Sequence, residues 1–213
     1  MPLLLLLALE GTALAGNWAI ITLSTVPDYA VAGTSLKLTF TVRQHGKTLL
    51  TGLRPSIRAT TSTGLSAKFT ASPGKSEGEY TALVTLPQSG EWTITLASGF
   101  HDSVLTLPAM KVIEAGSPPP TPFSPITRGV RLFAAKGCVG CHRHVEVNPQ
   151  HVTDARLDLS GKRFPQDYLR KFLADPSIKP AEMPNLKLSN DEIEALASFI
   201  NKLTMKTRGE EEK

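Results

Sequence analysis

The 213-residue sequence predicts two folded units in series, an all-β sandwich followed by an all-α domain. Three observations carry this. Up to residue 114, apolar and polar residues alternate at period two. Between residues 115 and 128, five prolines interrupt any regular element. Beyond 128 the apolar spacing becomes helical, around Cys138-Val139-Gly140-Cys141-His142. Hydrophobic residues make up 41% of the chain and charged residues 20%, which suits a folded protein rather than a disordered one. The net charge is +4 with no Lys/Arg block, so nothing points to nucleic-acid binding.

The elements follow in order. Leu3–Leu9 is an apolar run followed by Ala13-Leu14-Ala15, the pattern of a signal peptide over residues 1–15. It is too short to span a bilayer, which takes roughly 18 residues or more. Export to a periplasmic or other extracytoplasmic location is expected. Glu10 and the lack of a basic residue before the run leave an uncleaved anchor as the alternative.

Residues 16–114 read as the sandwich. Candidate strands are Trp18–Val26, Leu36–Val42, Ser56–Thr61, Ala67–Thr70, Tyr80–Leu86, Trp92–Ala97 and Val104–Ile113, separated by Gly- and Ser-containing turns. About seven short strands in about 100 residues indicate an immunoglobulin-like sandwich. With no cysteines, its core should rest on Trp18, Phe40, Tyr80, Trp92 and Phe100, with Pro108 marking a bend or edge. Residues 115–128 read as a semi-rigid spacer holding the two domains apart; the alternative is an ordered loop pinned to a surface.

Residues 129–205 form the helical unit, and 206–213 a charged tail. Helices are expected at 129–137, Pro165–Ala174 and Ser189–Thr204. The last opens with Ser189 as N-cap and Glu192 three residues on, a capping box. Both cysteines of the chain lie in Cys138-Val139-Gly140-Cys141-His142. C-x-x-C-H is the attachment signature of a c-type haem. Two thiols at i and i+3 add across the two porphyrin vinyl groups, and the adjacent imidazole of His142 binds the iron. A redox dithiol or half a zinc site are the other uses of such a pair.

Residues 126–205 resemble the class I cytochrome c fold. The resemblance rests on Gly129 with Phe133, Leu132-Phe133 shortly before Gly137-Cys138, the C-x-x-C-H motif, and Met183-Pro184-Asn185-Leu186 ahead of a capped last helix. It implies one covalent haem c and a crossing of first and last helices at Gly129 and Phe199. It also implies Met183 as the second axial ligand, so the cofactor-binding set is Cys138, Cys141, His142 and Met183, with His142 and Met183 on the metal. Met183 sits between Pro180 and Pro184, off any apolar helical stripe. His144 and His151 read as exposed loop histidines, His151 being the rival ligand. A carbonyl such as that of Pro149 is expected to orient His142. Residues 18–114 resemble the YtkA/FixH-like β-sandwich domains of exported bacterial proteins, through Ala32–Leu36, Val42–Gly46, Gly78–Tyr80 and Gly90–Trp92.

The expected function is exported one-electron transfer, as a carrier or as a subunit of a respiratory or other redox complex that is possibly membrane-bound. The sandwich would serve as docking module. No catalytic residues are read. Lys136, Arg143, Lys162, Arg163, Arg170 and Lys171 would steer the chain to acidic surfaces of redox partners. The alternatives are a copper-handling protein using His45, His101 and Met110, and a haem-based ligand sensor in which Met183 dissociates.

Overall fold

A computed structural model describes residues 18–151, 153–179 and 183–202. The expected leader and charged tail lie outside the described residues. Five strands form one sheet: β1 (Ala19–Leu23), β3 (Ser35–Gln44), β4 (Thr48–Leu49), β7 (Ser72–Pro73) and β8 (Glu79–Thr85), in the order β1-β3-β8-β7 with β4 beside β3. The other sheet holds β2 (Tyr29–Val31), β5 (Ser56–Thr60), β6 (Ser66–Thr70), β9 (Gly90–Ala97), β10 (Val104–Thr106) and β11 (Met110–Ile113). Its order is β2-β11-β9-β5-β6, with β10 also on β9. All pairs are antiparallel except β2 with β11.

Alternation decides which side chains enter the core. Along β3 the buried residues are Leu38, Phe40 and Val42, and along β8 they are Tyr80, Ala82 and Val84. Phe40 lies opposite Tyr80, their rings stacked at 6.0 Å. Tyr80 keeps its hydroxyl satisfied by donating to the Leu50 carbonyl at 2.8 Å, and Trp92 donates its indole N–H to Gln88 at 3.1 Å. The expected last strand is two, β10 and β11, split around Pro108 as its missing N–H requires. Trp18 does not join the core. It is 37% exposed, beside His45 at 5.4 Å, and Phe100 is half-buried.

The helical unit has α1 (Pro125–Ala135), α2 (Gln166–Ala174) and α3 (Asn190–Ile200). Helix α1 starts inside the stretch read as spacer. Ser124 caps it, accepting from the Thr127 N–H, and Pro125 occupies the first turn, where a missing N–H costs nothing. The capping box of α3 is present as read, with Ser189 and Glu192 each accepting from the other's backbone N–H. Helices α1 and α3 cross at Gly129. A Cβ there would collide with the Ala195 carbonyl and with Phe199. Phe133 and Phe199 meet edge to face at 5.6 Å beside this crossing.

The two units are not held apart. Arg128, Arg131 and Ala135 share a second face of α1 that lies on the sandwich. Arg131 donates to the carbonyls of Ala109 (2.7 Å) and Pro27 (3.4 Å), and Arg128 pairs with Asp28 at 3.6 Å. Ala135 is part of the sandwich core. The segment expected to act as a spacer instead feeds a helix packed on both units. Its second face carries mostly arginine stems and one alanine, a weak apolar signal. Since the Gly129 crossing leaves no room for a side chain, Gly129→Val should destabilise the protein by about 2–3 kcal/mol. Urea unfolding of the pure protein measures this as a lower midpoint at unchanged slope.

Candidate cofactor site

The C-x-x-C-H segment leaves α1 through Gly137, whose φ of 78° is left-handed. Gly137 has a second reason to be glycine, because a Cβ would strike Ile20 and the Ile21 carbonyl of β1. Cys138–Gly140 then makes one 3-10 turn, and the His142 N–H returns to the Cys138 carbonyl at 2.8 Å. Asn148 donates its amide to the carbonyls of His142 (2.8 Å) and Val139 (3.2 Å), and Thr153 donates to that of Cys141 at 2.9 Å. The turn is therefore fixed from its own loop and, at Gly137 and Gly140, backed by Ile20.

The imidazole of His142 is oriented by the Leu157 carbonyl, 3.0 Å from Nδ1. A carbonyl only accepts, so Nδ1 carries the proton and Nε2 keeps its lone pair. Burial also lowers the His142 pKa, favouring the neutral ring. Leu157 takes the role expected of Pro149, whose carbonyl instead accepts from Arg143 Nε at 3.0 Å. Leu157 is held by a short parallel bridge between Arg143 and Asp158, closed by their ion pair at 2.6 Å. Nothing in the sequence marks a backbone acceptor, so this partner was not legible.

His142 faces an open-mouthed apolar cavity of about 200 Å³. Cys138 and Met183 line the same cavity. Its walls come from α1 (Phe133), from α2 (Tyr168, Leu169, Phe172, Leu173), and from the segment leading into α3 (Leu186, Leu188). Phe164, Tyr168 and Phe172 stack in succession at 6.5 and 6.0 Å along one side. Arg156 is the only charged lining residue among those described; it is exposed and bonded to Asp154. Cys141 is half-buried and is not on the wall. Burial pushes the Cys138 thiol up to about 12 and raises Cys141 as well. The apolar setting that raises both thiols disfavours the thiolate a redox dithiol uses and suits a neutral thioether. The apolar walls and this donor set fit a haem.

Other sequence expectations are corrected. His144 is no exposed loop residue: it is 2% exposed, with its ring 4.3 Å from Phe199 and its Nδ1 accepting from the Glu146 N–H. His151 is half-buried and off the cavity wall. Met110, on β11, is sealed in the sandwich core at 2% exposure and cannot join His45 and His101 in a copper site. No cluster of three His, Cys, Asp or Glu capable of holding a metal occurs among the described residues. Lys136 is buried, not a steering charge.

Residues 126–204 match the family model for cytochrome c. No curated protein matches the chain. Among solved structures, domains 4 and 5 of the S-layer protein SbsC are similar at 18% identity over 44% of this chain, with a TM-score of 0.29; the match spans 50% of that structure. A conjugative transposon lipoprotein from Bacteroides eggerthii is similar at 10% identity, over 43% of this chain and 95% of its own, with a TM-score of 0.25.

The loop that orients His142 should be acid-sensitive. The Asp158 carboxyl is held at about 2 by the Ser160 hydroxyl and N–H and by Arg143. An unfolded Asp titrates near ~3.9, so this contribution is complete above that value and is lost as pH falls through 4 towards 2. Urea unfolding at pH 5 and pH 2 should show a smaller loss of stability in Asp158→Asn than in the wild type.

Proposed function

We propose that this chain, whose residues 126–204 form a cytochrome c domain, is an exported carrier of single electrons, working freely or as a subunit of a redox complex. A cytochrome c domain makes it a haem-based electron-transfer protein. The finer reading is supported by one observation above the rest: Cys138, Met183 and a His142 with a free Nε2 converge on one apolar cavity.

Cys138 and Cys141 would hold one haem c through two thioether links. His142 Nε2 and the Met183 sulfur would hold its iron. The haem supplies a one-electron iron couple. The chain's own residues do the rest. The Leu157 carbonyl fixes the proximal ring and raises its basicity. The walls from Phe133 to Ile200 exclude water, which disfavours the more highly charged oxidised state. A Met/His pair raises the potential over a bis-His one. Arg156 at the mouth suits the haem carboxylates. With His142 and Met183 both committed to holding the iron, the role would be transfer of electrons rather than catalysis on a bound substrate. The leader-like segment and the basic balance of the chain fit an extracytoplasmic protein that meets partners with acidic surfaces, with the sandwich serving as docking module.

Expression with haem-maturation machinery should give a red protein with no titratable thiol. Met183→Ala should remove the weak thioether-to-ferric absorption band and lower the reduction potential. A colourless product with two free thiols would overturn the reading.

A further inference from the structure

Lys136 stands two residues before Cys138, and Glu192 nine residues after Met183. The two are joined at 2.8 Å with side chains only 3% and 13% exposed. Lys136 Nζ also donates to the Ser24 carbonyl, at the end of β1, at 2.9 Å. The Thr22 hydroxyl donates to the Lys136 carbonyl at 3.3 Å. Glu192 uses its other oxygen to accept from the Ser189 N–H at 3.1 Å. That fixes the start of α3, directly after the cavity residues Leu186 and Leu188. One buried pair therefore links the segment entering the haem-attachment turn, the segment descending from Met183, and the sandwich.

Resting on the haem reading above, we propose that the sandwich sets how tightly Met183 binds the iron, with Lys136 and Glu192 as positioning residues. Neither touches the cavity. They act by fixing the spacing between the two segments that carry the axial ligands, and the sandwich holds the pair in place from Ser24 and Thr22. Arg131, bonded to Ala109 and Pro27 of the sandwich, is an independent anchor for the same docking.

The test uses the full-length ferric haem protein and imidazole, which competes with Met183 for iron. Glu192→Gln and Arg131→Gln should each bind imidazole about tenfold more tightly than wild type, the size of an ordinary coupling between sites. Each should also show a weaker thioether band and a lower potential. Glu192→Gln separates positioning from field: losing a negative charge near the ferric iron would by itself raise the potential, so a fall identifies a loosened Met183. If Arg131→Gln does not fold, Thr22→Val takes its place, with the same result expected. Imidazole affinities within twofold of wild type, or a raised potential in Glu192→Gln, would overturn the proposal alone. A wild type without the thioether band would overturn the ligand assignment beneath it.

Discussion

An ammonium group buried at a three-way junction is the constraint on which the arrangement depends. Lys136 lies at the C-terminal end of α1, and Glu192 in the first turn of α3. Each charge is thus at the helix end whose dipole favours it. Taking a lysine out of water costs several kcal/mol, and the cost is met only if its protons find acceptors. Glu192 and the Ser24 carbonyl are those acceptors. Breaking such a pair from one side leaves a stranded charge, at about 3–5 kcal/mol. The junction therefore tolerates little rearrangement. The two helix ends and the β1 end must come together in one geometry.

Helix α1 makes that geometry possible because it has two working faces. Gly129 and Phe133 lie against α3, and Arg128, Arg131 and Ala135 lie against the sandwich. The loop from Ser24 to Asp28 receives three cations of this one segment: Lys136 at Ser24, Arg131 at Pro27 and Arg128 at Asp28. Val26, in the same loop, packs against the cores of both units. The attachment turn is then backed by β1, with Gly137 and Gly140 against Ile20. In this arrangement the sandwich is part of the wall behind the cofactor site, and not a module on a string.

What was legible in the sequence is what a side chain must do at a fixed spacing. C-x-x-C-H and the Ser189–Glu192 capping box each state a local requirement, and period two gave the strands; the crossing of Gly129 beneath Phe199 was implied by the resemblance to class I cytochromes c. What was not legible depends on partners that carry no residue signature. The Leu157 carbonyl that orients His142 is backbone. The burial of His144 follows from a tertiary cage of Phe133 and Phe199 rather than from any periodicity around it. Five prolines suggested separation, yet Pro125 at the first turn of α1 is a helix start. A face made of Arg128, Arg131 and Ala135 has too little apolar character to advertise an interface.

The same commitments reshape the electrostatics around the cavity. The chain is mildly basic, at +4, and several of the cations of the helical unit are paired with carboxylates. Arg143 pairs with Asp158, Arg156 with Asp154, and Lys202 with Glu146 at 3.0 Å. Arg170 grips Glu194 with two bonds at 2.5 and 2.7 Å. Lys162 is turned onto the carbonyls of Ala155 and Arg156, which hold it in place but leave its charge uncancelled. A paired charge is close to a dipole beyond its own length, and its field falls away faster than that of a lone ion. Arg163 and Lys171 are exposed and form no ion pair among the described residues. The field around the cavity is therefore carried by fewer free cations than a count of basic residues suggests, Arg163 and Lys171 among them.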